Sequence, residues 1–119
     1  MNDKKAPVWV SLTVDVEFSI AGALTFPKKF SPLSDVCVRC NIGEKEHGLG
    51  FILDTLAEFH QRGTFFVEVL NSVHFGRAML PYVDRILRSG HEVGLHLHPA
   101  WLVFQDEGWR TRSEKVKDN

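Results

Sequence analysis

The sequence predicts an α/β fold in which parallel strands alternate with helices. Apolar residues recur at two-residue spacing in some segments and at helical spacing in others, and the segments follow the order strand, helix, strand, helix, strand. Glycine follows each segment of helical spacing, as it does at many helix ends. This order is typical of βαβ units, whose strands form one parallel sheet. No internal repeat or low-complexity segment divides the 119 residues, so we expect a single domain.

The first predicted strand covers residues 8–18. Apolar residues alternate along it with Trp9 and polar residues. The apolar face is formed by Val8, Val10, Leu12, Val14 and Val16. Asp15 and Glu17 lie on the opposite face, towards the C-terminal end of the strand. Residues 19–47 contain glycines and prolines without a sustained period, which predicts a long loop or insertion. Loops of that length often carry function.

A helix and a second strand are predicted after this loop. The helix begins after Gly50. Its apolar stripe is formed by Phe51, Ile52, Leu53, Leu56, Phe59 and His60. Gly63 stands where a C-terminal cap is expected. Residues 64–70 are mostly aromatic and β-branched, which is typical of a buried strand.

A second helix and a third strand complete the predicted unit. Residues 71–76 are a connection, and the helix after them is expected to end at Gly90. Its apolar stripe is formed by Met79, Leu80, Val83, Ile86 and Leu87. Residues 92–98 form the third strand, which Pro99 ends. Residues 106–119 are rich in charged side chains and predict a solvated tail, or a helix whose packing partner lies outside this sequence.

Composition and charge exclude several classes of protein. Lys and Arg number 14 against 15 Asp and Glu, so the chain lacks the basic excess that a dedicated nucleic-acid binder needs. No segment approaches the roughly 18 apolar residues of a membrane-spanning helix. Residues 1–17 lack the continuous apolar stretch of a secretory signal. We therefore expect a cytoplasmic protein with no nucleic-acid partner and no membrane span.

Two histidines at the end of the third strand have the spacing of metal ligands. His96 and His98 are two residues apart, so both imidazoles point to one face and lie about 7 Å apart along a backbone that rises roughly 3.3 Å per residue. Such a pair can lean together onto one divalent ion. A lone histidine among apolar residues is more often a hydrogen-bonded core residue, but two at this spacing beside Pro99 favour metal ligation.

Asp15 and Glu17 supply carboxylates at the corresponding end of the first strand. The C-terminal ends of parallel strands meet at one edge of a sheet, so these acids are expected beside His96 and His98. One acid can complete a His-His-carboxylate set that leaves positions open to water and substrate, while the other acts as a base. Either acid taken alone could instead cap a helix or face solvent.

The remaining candidate residues carry weaker signals. Cys37 and Cys40 form one Cys-x-x-Cys pair, without the second pair of a structural zinc site and without the strand-to-helix position of a redox site. His91 begins the third strand and could orient neighbouring groups. The isolated histidines, expected at the surface or in packing, are His47, His60 and His74.

These segments, in this order, resemble the polysaccharide deacetylase family with NodB homology. The resemblance covers residues 8–101 and rests on three runs: Thr13-Val14-Asp15-Val16-Glu17, Gly63-Thr64-Phe65-Phe66-Val67, and Gly90-His91-Glu92-Val93-Gly94 leading into His96. The second run is similar to Ala-Thr-Phe-Phe-Val in the family. The family's second metal-binding histidine usually stands where this chain has Ala100. The resemblance therefore implies His98 as the second histidine ligand. The Asp-Val-Glu and Leu-His-Leu-His-Pro motifs resemble one deacetylase-like subgroup.

This resemblance implies the N-terminal part of a distorted (β/α)₇ barrel, with residues 1–105 as a partial β/α domain. A complete barrel normally needs about 200 residues or more, so we expect a missing C-terminal half or further copies of the chain to cover the open sheet edge. The resemblance also implies Asp15 as the catalytic base and Glu17, His96 and His98 as metal ligands. The two acids are interchangeable in this assignment.

The implied function is metal-dependent hydrolysis of a C–N amide bond, namely N-deacetylation of an acetylated sugar or polysaccharide. Zinc is the expected metal, and Co²⁺, Mn²⁺ and Ni²⁺ are the other candidates. One alternative is the hydrolysis of another small amide on the same scaffold. Others are a catalytically silent deacetylase-like domain for binding or assembly, and a redox module that uses Cys37 and Cys40.

Overall fold

The computed structural model of the chain describes residues 4–111 and shows the predicted alternation of strands and helices. In chain order the elements are β1 (Thr13–Val16), α1 (Asp35–Arg39), β2 (Asn41–Ile42), β3 (Lys45–Glu46), α2 (Leu49–Glu58), β4 (Thr64–Glu68), α3 (Ser72–Phe75), α4 (Leu80–Arg88), β5 (Glu92–His96) and a 3₁₀ helix (Pro99–Gln105). The predicted βαβαβ unit corresponds to β1, α2, β4, α4 and β5.

The main sheet has three parallel strands in the order β1-β4-β5. Asp15 is in register with Phe66, and Phe66 with Gly94, so side chains of one parity share one face across all three strands. The parallel βαβαβ prediction is confirmed. Within residues 4–111 the sheet remains open and does not close into a barrel.

The hydrophobic core lies between the helices and one face of this sheet. Phe65 and Val67 of the central strand are almost fully buried, and Val16 of β1 joins them. The same core includes Leu53 of α2 and Ile86 of α4. Parallel strands joined by crossover helices bury this face well, because each right-handed crossover returns its helix to the same side of the sheet.

The first strand is shorter than predicted. Pairing begins at Leu12, whose carbonyl accepts a hydrogen bond from the Thr64 amide, and β1 ends at Val16. The side chains of Val8, Trp9 and Val10 are 87%, 90% and 83% exposed. The predicted burial of Val8, Val10 and Leu12 is therefore wrong, because an alternating pattern forms a buried strand only where a neighbouring strand and a covering layer exist.

Residues 19–47 have more regular structure than a loop. They contain the short helix α1 and the antiparallel hairpin of β2 and β3. Two contacts attach this insertion to α4: the Tyr82 hydroxyl donates to Asp35 at 2.7 Å, and Arg85 pairs with Glu46 at 2.8 Å. The insertion is thus fixed to the side of the sheet that carries the helices.

The two predicted crossover helices exist, with different ends. The first one ends at Glu58, and His60, with φ of 52°, makes the turn that was expected at Gly63. Gly63 instead lies immediately before the central strand, where an added Cβ would be 3.2 Å from the Leu12 carbonyl oxygen. The second helix ends at Arg88 and is followed by Gly90 at φ of 83°, as predicted. The predicted stripe residues that remain exposed are Phe51, Phe59, His60, Leu80 and Leu87.

Aromatic packing extends beyond the third strand. Trp101 and Phe104 of the 3₁₀ helix are buried, and so is Trp109, although it lies in the segment predicted to be a solvated tail. Arg110 stacks 4.3 Å from the Trp109 ring and donates to the Pro27 carbonyl oxygen. The beginning of that segment therefore packs on this chain itself, while residues 112–119 lie outside the described part.

Candidate metal centre

The sheet brings one carboxylate and two imidazoles to its C-terminal edge. Glu17 follows β1 directly, His96 is the last residue of β5, and His98 lies two residues further on. The register places Glu17 and His96 on the same face, opposite the buried core. His98 has extended backbone dihedral angles immediately before the 3₁₀ helix, so it continues the alternation of β5.

The three side chains converge on one point. The Glu17 Oε2 atom lies 3.2 Å from His96 Nε2 and 2.7 Å from His98 Nε2, and the two Nε2 atoms are 2.9 Å apart. The two imidazole rings are nearly perpendicular, with centroids 4.5 Å apart. This group could hold a metal ion.

A cation fits the chemistry of this group better than protons do. Each Nε2 atom carries at most one proton, so hydrogen bonds can satisfy two of the three close contacts at most. Ligand atoms at about 2.0–2.2 Å from a tetrahedral zinc ion lie roughly 3.3–3.6 Å from one another. An outward movement of about half an ångström would bring the three atoms to that spacing.

The group is open to solvent on one side. The side chain of His96 is 25% exposed, and those of Glu17 and His98 are 45% and 48% exposed. Three protein ligands with one open side are the arrangement of catalytic metal sites, whereas structural zinc sites are closed by four ligands.

Asp15 occupies a different position from Glu17. It lies two residues earlier on the same face, is exposed, and does not belong to the converging group. The sequence left the roles of base and metal ligand interchangeable between Asp15 and Glu17. The structure places Glu17 against the histidines and leaves the Asp15 carboxylate outside their contacts.

Two clefts adjoin the site. The larger has a volume of about 420 Å³ and is lined by Glu17, Phe18, Ser19, Ile20, Cys37, His98, Ala100 and Trp101. The smaller one, of about 180 Å³, runs along β1 past Asp15, Glu17 and Cys37. Glu17 lines both clefts, and only the larger one also includes a histidine of the group, His98.

The two cysteines are free thiols. Cys40 Sγ donates to the Cys37 carbonyl oxygen at 3.2 Å, and Cys37 lines both clefts. Burial raises the pKa of the Cys37 thiol. A raised pKa keeps this thiol protonated and therefore weakly nucleophilic at neutral pH.

Two of the other histidines, His91 and His74, contribute to hydrogen bonding and packing. His91 is buried at the N-terminal end of β5, where its Nδ1 atom accepts a hydrogen bond from the Gly63 amide at 3.1 Å. His74 packs edge-on against Phe75, Phe104 and Trp109. His91 thus joins the starts of two strands, at the end of the sheet opposite the metal-binding group.

Sequence reasoning missed one residue, Glu68. This carboxylate is fully buried at the end of β4, between the strands that carry Glu17 and His96. It accepts hydrogen bonds from the backbone amides of Leu70, Asn71 and His98. The available signal was an acid that ends a buried aromatic strand on the same face as the other site residues.

No protein-family model, curated protein or solved structure matches this chain. Among the residues that the structure describes, helices are too short or too polar to cross a membrane.

Proposed function

We propose that this chain is the metal-binding portion of an amide hydrolase that removes acetyl groups from N-acetylated sugars. The observation that supports this most directly is the convergence of Glu17, His96 and His98 at the C-terminal edge of a parallel sheet, beside an open cleft. The resemblance to polysaccharide deacetylases suggests the substrate class and the barrel of which these strands would form one part. Zinc is the proposed metal, because two imidazoles and one carboxylate suit it well.

In this proposal, three residues bind the metal and a fourth acts as the base. Glu17, His96 and His98 hold the divalent cation, which supplies a Lewis acid that polarises the acetamide carbonyl and makes the attacking water more acidic. Asp15, on the same face and outside the ligand group, takes the proton of that water. The water oxygen adds to the amide carbon, the C–N bond breaks, and the proton taken up by Asp15 passes to the departing nitrogen, giving acetate and an amino sugar.

The larger cleft has the size and composition to receive such a substrate. Its volume of about 420 Å³ falls within the range of about 300–1,000 Å³ that is usual for small-molecule sites. Ile20, Ala100 and Trp101 supply apolar atoms beside His98, where an acetyl methyl group can pack. Polar groups of the sugar would face the open side.

A second candidate is a catalytically silent domain that binds or assembles. The observation that favours it is the sheet itself, since β1 and β5 are both edge strands within residues 4–111. Parallel sheets are usually covered on both faces and at their edges, so such a sheet has surfaces that another chain or segment can cover.

Acetate release and metal affinity, measured for the unsubstituted chain and two variants, distinguish these functions. The chain is loaded with Zn²⁺, acetate release from N-acetylglucosamine oligomers is measured, and metal affinity is determined by calorimetry. We expect Asp15→Asn to lower kcat by at least about 100-fold while the metal Kd stays within about threefold. We expect Glu17→Gln to weaken metal binding by at least about tenfold.

The outcomes separate the candidates. Metal binding without acetate release, from sugars or from small acetamides, would contradict hydrolysis by this chain and favour the silent domain. Loss of metal binding in Asp15→Asn with retention in Glu17→Gln would reverse the roles of the two acids.

A further inference from the structure

Glu68 is the one fully buried carboxylate among the described residues, and the proposed chemistry does not use it. It ends β4, the central strand, and stands in register with His96 of β5. A buried charge is costly unless hydrogen bonds compensate it, so its surroundings indicate what it does.

Four N–H groups surround the Glu68 carboxylate. Oε1 accepts from the Leu70 amide at 2.8 Å and the His98 amide at 3.3 Å. Oε2 accepts from the Asn71 amide at 2.8 Å and from Asn71 Nδ2 at 2.9 Å. Every partner is a donor, so the arrangement fits an ionised carboxylate and leaves no position for the amide group of a glutamine.

Three of these bonds are local and one is not. Leu70 and Asn71 follow Glu68 closely in the chain and form the turn into α3, whereas His98 is 30 residues away. The contact to His98 therefore joins the end of the central strand to the segment that presents a metal-binding imidazole. The neighbouring strands meet there as well, through the Val69 amide and the His96 carbonyl oxygen at 3.3 Å.

Asn71 donates local hydrogen bonds to Glu68 from its side chain. Its Nδ2 atom donates both to Glu68 Oε2 and to the Glu68 carbonyl oxygen, the latter at 2.6 Å. Its Oδ1 atom is buried and has no hydrogen-bond partner within residues 4–111. An unsatisfied buried oxygen destabilises the fold, so the two hydrogen bonds donated by Nδ2 compensate part of that cost within the turn between β4 and α3.

We propose that Glu68 is a positioning residue, which fixes the His98 backbone and thereby holds its imidazole at the distance from Glu17 and His96 that metal binding requires. This inference rests on the metal centre proposed above. Groups that orient metal ligands typically change metal affinity by about 10–100-fold when they are removed. Glu68 would act in this way through the peptide group of the ligand rather than through its ring.

Glu68→Asp separates this role from simple capping of α3. The shorter acid keeps its charge and can still accept from amides two and three residues ahead, as Asp commonly does at turns. It is one methylene too short to reach the His98 amide, which already lies at 3.3 Å from the longer side chain. Asn71→Ala is the matched control, because it removes two local hydrogen bonds and leaves the contact to His98 in place.

The test measures Zn²⁺ affinity by calorimetry and the visible absorption spectrum of bound Co²⁺. We expect Glu68→Asp to weaken Zn²⁺ binding by about tenfold and to alter the Co²⁺ bands, while Asn71→Ala lowers Tm and keeps Kd within about twofold. Equal affinities and spectra for Glu68→Asp and the unsubstituted chain would overturn the inference, as would an equal loss in Asn71→Ala.

Amide hydrogen exchange in the unsubstituted chain gives a second test that no folding defect can obscure. The His98 amide should exchange slowly although its side chain is half exposed, because Glu68 accepts its hydrogen bond. Exchange at the rate of an open loop would overturn the inference. An unsubstituted chain with a protected His98 amide that binds neither ion would overturn the metal centre itself, and with it this role of Glu68.

Discussion

The two faces of the three-stranded sheet differ in burial and in side-chain chemistry, although their residues alternate along the same strands. Phe65 and Val67 point to the helices and are almost fully buried, whereas Asp15, Phe66 and His96 point to the other side and remain partly or fully exposed. The covered face consists of apolar side chains. The open face carries carboxylates and imidazoles, and the candidate metal-binding group of Glu17, His96 and His98 lies at its C-terminal edge.

Stability and chemistry therefore depend on opposite faces of this sheet. Core packing on the covered face fixes the strands in register, and that register alone decides which side chains meet on the open face. A residue that faces the helices is therefore expected to affect unfolding. A residue on the open face should mainly affect binding, with Glu68 as the exception because it is buried there.

The largest expected difference between the faces is between two neighbouring phenylalanines. Phe65→Ala leaves a cavity in the core and should cost about 3–5 kcal/mol of unfolding free energy, a large share of the roughly 5–15 kcal/mol of a whole domain. Phe66→Ala, one residue away on the open face, should cost about 1 kcal/mol. Urea denaturation followed by tryptophan fluorescence measures both. Similar losses at the two positions would show that the open face is covered in solution.

A smaller effect concerns pH and the covered side. Burial, together with the hydrogen bond to Asp35, raises the pKa of Tyr82 from 10 to about 12. Below pH 10 both states keep the phenolic proton, and above it the unfolded state releases the proton first, so stability falls as pH rises from 10 through 12. The contribution lost is about 2–3 kcal/mol.

Tyr82→Phe isolates this contribution, because the burial of Cys37 also raises a thiol pKa and adds its own loss of stability at alkaline pH. Tyr82 is the one tyrosine of the chain, so tyrosinate absorbance reports its titration directly. The difference in unfolding free energy between the two proteins should shrink between pH 10 and 12. A tyrosinate midpoint near 10 in the folded protein would contradict the contact with Asp35.

The smallest effect is expected at Gly94, on the open face. An added Cβ would lie 2.6 Å from the Phe66 ring, which is in register with it on the adjacent strand. Phe66 is only partly buried, so a shift of its ring loses little packing, and Gly94→Ala should cost about 1 kcal/mol in urea denaturation, the low end for overpacking. Combining it with Phe66→Ala should remove most of that cost, since the clashing ring is then absent. Simple additivity of the two losses would place the clash elsewhere.

The order of the elements and the composition of the site edge could be predicted because both depend on short-range spacing. Alternation in residues 13–16 and the pair His96 and His98 define faces without any tertiary information. The same alternation at Val8 and Val10 predicted a buried strand wrongly, since no periodic pattern shows whether a neighbouring strand exists. Trp109 within a charged segment was a signal of burial that the surrounding charges obscured.

The assignment within the site depended on distances that spacing does not contain. Asp15 and Glu17 share a face, and only the distances to His96 at the end of β5 and to His98 beyond it show that Glu17 is the one within contact. Glu68 is an ordinary acid in the sequence. Its proposed role depends on the approach of the His98 amide, a contact made by a segment 30 residues away.

The metal centre is tested most directly by Zn²⁺ titration of the full chain in a calorimeter, with elemental analysis of the dialysed protein. The unsubstituted chain should bind one ion, and the double variant His96→Ala with His98→Ala should bind none stoichiometrically. His47→Ala, which removes an exposed histidine outside the group, should bind as the unsubstituted chain does. Unchanged uptake in the double variant would contradict the assignment of these histidines as metal ligands.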